Sequence, residues 1–512
     1  MFIWTKEHLH DLVSNSFRDT KFIAVSNREP YIHHREGRNI RCSTPAGGVT
    51  AALDPILRAS GGVWVAHGSG SADWDVLDRN NCVAVPPGDP SYRLRRVWLS
   101  KQIENEYYYG LANEGLWPLC HTAFQRPHFS LKNWESYRTA NRSFADAVLE
   151  EAGGGPACIF IQDYHLALLP RMLKEQNPNL TVAHFWHVPW PHREAFRTFP
   201  WKEELLDGLL GNDLLGFHVS HHCENFLETV ERSIEARVDV EHGRVCKGGH
   251  ATLVKPFPIS IDFEARAGMA ASTQVSAATE RWRRELGGFP EMLGIGIDRI
   301  DYTKGIPDRL MALEQLFEER PEYVGRLTFL QVGVPSRTAI KEYTALNEEL
   351  EERVNAINRR WARGAWRPVV FVKRHVDQPE LTALHLMADF CLVSSLHDGM
   401  NLVAKEFVGS RIDGDGVLIL SAFTGAAREL SDALIVNPFS IDEMAGAMHE
   451  ALGMPATERR RRMNKMRAIV GENNIYRWAA KIVLTLSKIE TMDGAPSGVE
   501  EKEEILSMAG AA

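Results

Sequence analysis

The sequence lacks several features that would point directly to a class of protein. Its seven cysteines are scattered without a CxxC pair, so neither a disulfide framework nor a cysteine zinc site is indicated. No apolar run approaches the ~20 residues of a membrane-spanning helix, and the N-terminus mixes charges into its apolar residues, unlike a signal peptide. The net charge of −9 argues against a nucleic-acid or anionic-membrane partner. We therefore expect a cytoplasmic protein that acts on small molecules, with homo-oligomer formation left open.

A dinucleotide-binding fingerprint is also missing, because no GxGxxG opens a helix after the first apolar run. This absence makes a dinucleotide-dependent oxidoreductase one of the less favoured functional classes for the chain. At 512 residues the chain is too long for one typical domain and suits two or three.

Short apolar runs recur along the chain, separated by segments with helical periodicity. They lie at 22–26, 62–66, 158–161, 182–185, 214–217 and 251–254, and again at 293–297, 327–332, 369–372, 390–393, 417–420 and 433–436. Runs of this kind are typical of parallel strands buried on both faces. We predict an α/β fold with two Rossmann-like, doubly wound domains that face each other across a cleft.

The domain boundaries follow from where this pattern is interrupted. Two prolines between residues 256 and 263 indicate the link, which gives an N-terminal domain at 1–257 and a C-terminal domain at 258–472. Aromatic and apolar residues at helical offsets predict a terminal helix at 473–492 that packs back on the first domain. The small, polar segment 493–512 is predicted to be a disordered tail.

The segment GIGIDRIDYTKG at 294–305 is the most informative part of the chain. It reads as a strand that feeds a loop carrying Arg299 and Lys304. Two cations at the carboxyl end of a strand are what a diphosphate leaving group needs. Arg337, after the next apolar run, is a further cation at the same predicted edge. The pattern indicates transfer of a group from a diphosphate donor.

A second loop-to-helix junction, HDGMNLVAKE at 397–406, carries Asp398, a glycine and Glu406. A helix N-terminus in this loop would favour diphosphate oxygens. The Glu406 carboxylate would then be available to accept hydrogen bonds from ribose hydroxyls.

Candidate residues in the first half also follow predicted strands. Arg28 ends the first strand and could bind an anion, while Gly47 and Gly48 would let backbone approach a phosphate or a sugar. Asp163 and His187 follow neighbouring strands and would point into one crevice.

Two further patterns in the first half are ambiguous. The aromatic segment YYYGLANEGLWP at 107–118 would either wall a sugar site or pack in the core. A metal site is only weakly indicated by His218, His221 and His222, because no acidic or cysteine partner completes a ligand set.

Taken in order, these segments resemble the trehalose-6-phosphate synthase family, the retaining glycosyltransferases of family 20, from about residue 22 to 478. The similar segments are SNR at 26–28, AGG at 46–48, the aromatic segment at 107–118, DYHL at 163–166, HVPWP at 187–191, DRIDYTKG at 298–305, DGMNLVAKEF at 398–407 and GVLILSAFTGAAREL at 416–430. The resemblance implies a fold of the GT-B type. It also implies transfer of glucose from a nucleotide sugar, expected to be UDP-glucose, to glucose 6-phosphate with retention of configuration.

The resemblance further implies a front-face displacement without an obligatory metal or other cofactor, so that charge neutralisation rests on the cations. It assigns roles to particular residues. The catalytic group is Arg299, Lys304, Asp398 and His187; the donor-binding group is Gly48, Asn401, Leu402, Val403 and Glu406; the acceptor-binding group is Arg28, Tyr108, Trp117, Asp163 and Arg337.

Some positions depart from the family pattern. His67 lies where the family often has a tryptophan, Gln162 and His397 replace a usual histidine and arginine, and Val376 replaces an aromatic residue of some members. Two alternatives therefore stay open. One is a glucosylglycerol-phosphate synthase that uses ADP-glucose and glycerol 3-phosphate, and the other is a non-catalytic regulator that binds nucleotide sugars.

Overall fold

The structure is a computed structural model that describes residues 3–17, 20–44, 48–288 and 290–493. Its internal contacts divide the chain into two compact units. Unit 1 comprises Met1–Ile259 and Ile475–Ala512, and unit 2 comprises Ser260–Asn474. Of the segment predicted to be a disordered tail, residues 493–512, only Asp493 is described, as the last residue of a helix, and 494–512 lie outside the described residues.

Unit 1 contains a sheet and a separate hairpin. The strands are β1 (Lys21–Arg28), β2 (Ile32–Glu36), β3 (Asn39–Ser43), β4 (Val63–His67), β5 (Cys82–Val85), β6 (Tyr92–Val97), β7 (Ala157–Gln162), β8 (Thr181–Phe185), β9 (Leu214–Phe217), β10 (Arg237–Asp239), β11 (Arg244–Lys247) and β12 (His250–Pro256). The ten-stranded sheet has the order β10-β11-β12-β9-β8-β7-β1-β4-β6-β5, and β2 pairs with β3 alone.

The centre of this sheet is parallel and its margins are antiparallel. Every apolar run predicted in the first half forms one of the strands β1, β4, β7, β8, β9 and β12, and their pairings with one another are parallel. The pairings of β5 with β6 and of β10 with β11 are antiparallel and were not predicted. β10 (RVD) has no apolar run, and β5, although apolar (CVAV), is partly exposed at the edge of the sheet.

The helices of unit 1 connect these strands. They are α1 (Lys6–Ser16), α2 (Gly48–Ser60), α3 (Lys101–Glu104), α4 (Trp117–His121), α5 (Leu131–Ala152), α6 (Leu169–Gln176), α7 (Arg193–Phe196), α8 (Lys202–Leu209) and α9 (Ser220–Ser233), with α18 (Ile475–Asp493) joining from the end of the chain. A π-helical segment, Asn105–Leu116, lies between α3 and α4.

Unit 2 contains one parallel sheet. Its strands are β13 (Met292–Arg299), β14 (Leu327–Val334), β15 (Val369–Val372), β16 (Phe390–Val393), β17 (Val417–Ser421) and β18 (Leu434–Val436). They lie in the order β15-β14-β13-β16-β17-β18, and all their pairings are parallel. Every apolar run predicted in the second half forms one of these strands, so the α/β prediction is confirmed.

The helices of unit 2 alternate with its strands, as a parallel sheet requires. They are α10 (Phe263–Ala270), α11 (Thr273–Glu285), α12 (Ile306–Glu319), α13 (Lys341–Trp361), α14 (Gln378–Met387), α15 (Leu402–Ser410), α16 (Ile441–Gly453) and α17 (Ala456–Glu472). Among the described residues, no helix is both long and apolar enough to cross a bilayer.

Close packing explains the glycines of β13. A Cβ on Gly294 would lie 2.3 Å from the ring of Phe390, on the neighbouring strand β16. The buried side chains of α12, α13 and α16 form one apolar core with those of the sheet. This core holds the carboxyl end of β13 at a defined position.

Trp478 is one of the buried residues that hold the helix α18 within unit 1. The indole is 2% exposed, its Nε1–H donates to the backbone carbonyl of Phe257 at 3.2 Å, and its ring packs 5.3 Å from that of Phe185 and 6.3 Å from that of Phe160. This tryptophan therefore joins the end of the described chain to the central strands of unit 1.

We expect Trp478→Ala to lower the free energy of unfolding of unit 1 by about 3–5 kcal/mol, because it leaves a cavity and an unpaired carbonyl. Urea denaturation followed by near-UV circular dichroism measures the change. Trp74→Ala is the matched control, because Trp74 is 66% exposed, and we expect it to cost about 1 kcal/mol or less. Equal losses in the two variants would contradict the packing role of Trp478.

Candidate active site

In both units the strand order reverses beside the first strand of the sheet. In unit 2 the chain runs outward from β13 to β14 and β15, then returns to place β16 on the other side of β13. In unit 1, β1 is likewise flanked by β4 and β7. Ligands of doubly wound sheets bind outside the carboxyl ends of the strands at such a reversal. The candidate residues are therefore those that follow β13 and β16, and those that follow β1 and β7.

Lys304 and Asp398 form an ion pair at this place in unit 2. Lys304 ends the short 3₁₀ turn after β13, and its Nζ lies 2.5 Å from Oδ2 of Asp398, which follows β16. The same oxygen of Asp398 accepts hydrogen bonds from the Asn401 side-chain amide at 3.2 Å and from the Ser395 hydroxyl at 3.3 Å. The two loops predicted to carry chemistry are therefore in direct contact.

Asn401 also begins the helix α15. Its backbone has φ of +79°, and its side-chain oxygen accepts from the N–H of Ala404 at 3.1 Å. Leu402 and Val403 are the first two helical residues, and their N–H groups have no carbonyl partner within the helix. Together with the helix dipole, these N–H groups make the start of α15 suited to an anion.

Asp301 is a buried carboxylate that the sequence reasoning missed. Its Oδ1 accepts from the backbone N–H and hydroxyl of Thr303, and its Oδ2 accepts from Tyr343 Oη at 3.1 Å and from Arg337 Nη1 at 3.3 Å. Burial opposes its ionisation, but the charges of Arg337, Arg299 and Lys304 outweigh burial and lower the pKa of Asp301. The charges of the three predicted cations therefore act on one carboxylate, which Arg337 contacts directly.

The loop that carries Lys304 is held in place by a hydrogen-bond network around Arg309, which is fully buried. Arg309 donates to Asp298 at 2.7 Å, to Gln331 at 2.8 Å and to the hydroxyl of Ser394 at 3.0 Å. That hydroxyl in turn lies within hydrogen-bonding distance of the backbone carbonyls of Lys304 and Gly305. The buried network holds the backbone on which Lys304 stands.

Glu406 is paired with Arg266, which was not predicted. Arg266 Nη2 donates to Oε1 of Glu406 at 2.7 Å, and Arg266 Nη1 donates to Gln378 at 2.6 Å. Burial raises the pKa of Glu406, and the charge of Arg266 partly offsets this effect. The carboxylate is therefore held in a defined direction on α15.

In unit 1, Arg28 ends β1 and is exposed. Its Nη2 donates to the hydroxyl of Tyr108 at 3.0 Å, and the Tyr108 ring stacks on that of His165 with centroids 5.5 Å apart. Tyr108 lies in the π-helical segment, a form of helix that occurs often at functional sites. The structure thus brings two of the predicted acceptor residues together.

Asp163 and His187 also meet in unit 1. Asp163 follows β7 with φ of +70°, an uncommon conformation for a residue with a side chain. Its Oδ1 accepts from the backbone N–H of His187 at 3.2 Å, and its backbone carbonyl accepts from His184 Nε2 at 2.9 Å. Burial lowers the pKa of His184 to about 4 and that of His187 to about 3, so both rings are neutral at pH 7.

The remaining predicted residues are less directly engaged. Trp117 is buried, with its ring 4.0 Å from that of His121 and 5.9 Å from that of Tyr164. Gly48 is the first residue of α2, and Gly47 lies outside the described residues. Within the described part of the chain, no group of three histidine, cysteine, aspartate or glutamate residues is arranged to hold a metal ion.

Comparison with known proteins identifies the class to which this chain belongs. The model of glycosyltransferase family 20 matches residues 20–488, and the chain belongs to that family. The trehalose-6-phosphate synthase of Mycobacterium marinum is 37% identical over 488 residues, which cover 94% of this chain and 96% of the relative. That of Mycobacterium avium is 37% identical over 488 residues, covering 94% and 98%.

Solved structures give the same result for the fold. A UDP-forming α,α-trehalose-phosphate synthase of Burkholderia vietnamiensis is similar with a TM-score of 0.81 at 29% identity, over 92% of this chain and 100% of that one. An Escherichia coli protein solved with UDP-2-fluoro glucose gives 0.82 at 30% identity over 92% and 99%. A Burkholderia xenovorans synthase solved with glucose 6-phosphate gives 0.81 at 28% over 91% and 99%. This protein is therefore a glycosyltransferase with the GT-B type of fold, as predicted.

The neutral histidines of unit 1 predict a pH dependence of stability. His184 takes up a proton near pH 6.5 when unfolded but only near pH 4 when folded. Unfolding therefore takes up a proton between these values, and stability falls as the pH drops from about 6.5 towards 4. We expect His184→Gln to show a smaller loss of unfolding free energy between pH 7 and pH 5 than the wild type.

Urea denaturation at the two pH values measures this difference. His10→Gln is the control, because the His10 side chain is 58% exposed, and it should leave the pH dependence unchanged. A His184→Gln protein that loses as much stability as the wild type would contradict the assignment of a buried neutral ring.

Proposed function

We propose that this protein transfers glucose from UDP-glucose to glucose 6-phosphate, giving trehalose 6-phosphate and UDP with retention of the anomeric configuration. The observation that carries the proposal is the arrangement after β13 and β16, where Lys304 meets Asp398 beside the start of α15. Family membership supports it, as do the names of the relatives and the ligands of the solved structures.

In this proposal unit 2 binds the donor. Arg299 and Lys304 neutralise the diphosphate, and the N–H groups of Leu402 and Val403 at the helix start donate hydrogen bonds to its oxygens. Glu406, directed by Arg266, accepts hydrogen bonds from the ribose hydroxyls. Gly48 of unit 1, at the start of α2, allows backbone to approach the diphosphate and the sugar.

The transferred glucose needs hydrogen-bonding partners other than the cations. Asp398 accepts from its hydroxyls, because a carboxylate offers acceptor positions on both of its oxygens. We assign His187 to the same sugar. Asn401 keeps the Asp398 carboxylate in place through its 3.2 Å hydrogen bond.

The acceptor is bound by cations and by aromatic side chains. Arg28 and Arg337 bind its phosphate as charge-assisted donors. Asp163 accepts from its hydroxyls, while Tyr108 and Trp117 line the sugar site. Arg337 is already oriented by Asp301 and Tyr343, so little side-chain entropy is lost when the phosphate binds.

The chemical step that fits these residues is a front-face displacement. The bond between the glucose C1 and the leaving phosphate oxygen breaks, and a bond from C1 to the acceptor hydroxyl oxygen forms on the same face. The hydroxyl proton passes to the leaving phosphate, whose growing negative charge is stabilised by Arg299 and Lys304. Positioning and fixed positive charge thus supply most of the rate, and no metal ion or other cofactor is required for charge neutralisation.

The residue at position 67 favours a second candidate for the acceptor substrate. His67 ends β4, is buried, and has its Nδ1 3.1 Å from the carbonyl oxygen of Val97. In the family a tryptophan beside the acceptor sugar often occupies about this position. A smaller acceptor such as glycerol 3-phosphate, with ADP-glucose as donor, is therefore the second candidate.

A matrix of substrates tests the proposal. Purified protein is incubated with UDP-, ADP- or GDP-glucose, each with glucose 6-phosphate or glycerol 3-phosphate, and nucleoside diphosphate release, product mass and anomeric configuration are measured. We expect turnover with UDP-glucose and glucose 6-phosphate and an α,α-linked product. Turnover with glycerol 3-phosphate but not with glucose 6-phosphate would contradict the proposed acceptor. Binding without turnover in every pairing would favour a non-catalytic regulator.

We expect Lys304→Ala to lower kcat by on the order of 10²-fold or more, because a fixed charge that stabilises the leaving diphosphate is lost. Lys341→Ala is the matched control, since Lys341 is an exposed residue at the start of α13. Steady-state kinetics and circular dichroism of both variants provide the measurement. A Lys304→Ala enzyme with normal kcat would remove the proposed role.

A further inference from the structure

Gln162 and His187 form a hydrogen bond that the proposed mechanism does not use. Gln162 is the last residue of β7 and is 1% exposed, and His187 follows the neighbouring parallel strand β8. The Oε1 atom of Gln162 lies 2.9 Å from Nε2 of His187. The pair thus lies at the edge of the sheet that carries Asp163.

The direction of the Gln162 amide is fixed by its other end. The Nε2 atom of Gln162 lies 3.1 Å from the backbone carbonyl oxygen of Ile161. A carbonyl oxygen only accepts hydrogen bonds, so the amide must present its NH₂ group to Ile161 and its oxygen to His187. An amide oxygen also only accepts, and the proton of the hydrogen bond must therefore belong to Nε2 of His187.

The tautomer of His187 follows from this hydrogen bond. Burial lowers the pKa of His187 to about 3, so the ring carries a single proton at neutral pH. With that proton on Nε2, the Nδ1 atom keeps its lone pair and acts as a hydrogen-bond acceptor. A sugar hydroxyl is the donor that suits such an atom.

We propose that Gln162 is a positioning residue that holds His187 as the Nε2–H tautomer, so that Nδ1 of His187 accepts a hydrogen bond from a hydroxyl of the transferred glucose. The part of this inference that concerns the glucose depends on the proposed function. The part that concerns the tautomer depends only on the contacts of Gln162.

Other ionisable groups surround the ring. The Asp163 carboxylate accepts from the backbone N–H of His187, and His218 Nε2 lies 3.0 Å from the His187 backbone carbonyl oxygen. His184 lies three residues earlier in the chain, on β8. None of these contacts involves a ring nitrogen of His187. Gln162 is therefore the group whose substitution should change the protonation of that ring.

Nitrogen-15 NMR of histidine-labelled protein tests the tautomer without requiring turnover. The His187 signals are assigned by comparison with His187→Gln. We expect wild-type His187 to be neutral with its proton on Nε2 from pH 5 to pH 8. A ring protonated on Nδ1 would overturn the proposal.

Two substitutions separate positioning from mere packing. In Gln162→Leu the acceptor is lost, and we expect a mixture of the two tautomers with kcat lower on the order of tenfold. In Gln162→Glu the carboxylate favours the imidazolium, so the His187 pKa rises and activity falls towards low pH as Nδ1 becomes a donor. Unchanged His187 signals in both variants would overturn the role of Gln162.

His184 is the internal control in the same spectra, because its Nε2 donates to the Asp163 carbonyl and its tautomer should not change. The ligand arm adds UDP-glucose or UDP alone to the wild type. We expect the His187 Nδ1 resonance to shift with UDP-glucose and not with UDP. If wild-type His187 carries its proton on Nε2 but its Nδ1 resonance does not shift with UDP-glucose, the contact with glucose is refuted. Absence of glucosyl transfer with the tautomer intact would instead refute the proposed function.

Discussion

The candidate site of unit 2 depends on one buried carboxylate, that of Asp301. The charges of Arg299, Lys304 and Arg337 lower its pKa, and its negative charge partly offsets the repulsion among these cations. Four hydrogen bonds from Thr303, Tyr343 and Arg337 compensate the desolvation of the carboxylate. Removing one partner of such a buried pair typically costs about 3–5 kcal/mol. Arg337 is thus oriented, and the charge of the cations is partly offset, before any phosphate arrives.

The same topological constraint determines where both sets of candidate residues lie. A strand order that reverses beside β13 or β1 leaves two loops diverging at the carboxyl edge of the sheet. In unit 2 this gap is bridged by the Lys304–Asp398 ion pair, and in unit 1 the corresponding loops carry Arg28 and Asp163. Charge and acceptor groups therefore follow from the fold.

Much of this arrangement could be predicted from the sequence because buried parallel strands have a strong local signal. Continuous apolar runs identified the central strands, and polar residues directly after them identified Lys304, Asp398 and Asp163. The marginal strands β5 and β10 were missed, because β10 (RVD) has no apolar run and the run of β5 (CVAV) belongs to a partly exposed edge strand.

Contacts between distant residues could not be predicted in this way. Arg266 lies 140 positions from Glu406, and Arg337 lies 36 from Asp301. The sequence marks Arg266 and Asp301 as ordinary charged residues, and only the packing of α10 against α15, or of β14 beside β13, makes them partners of Glu406 and Arg337. Gln162 could be recognised as a departure from the family, but its hydrogen bond to His187 required the register of β7 and β8.

The central claim is that Asp301 organises the cations, and the affinity of Asp301→Asn for UDP tests it most directly. Isothermal titration calorimetry would compare this variant with the wild type and with Asp415→Asn, which removes an equal charge elsewhere in unit 2. Simple Coulomb attraction predicts tighter binding of UDP when a negative charge is lost. We predict binding weaker by at least about tenfold in a folded Asp301→Asn protein, with Asp415→Asn near the wild type. Equal or tighter binding by Asp301→Asn would contradict the claim.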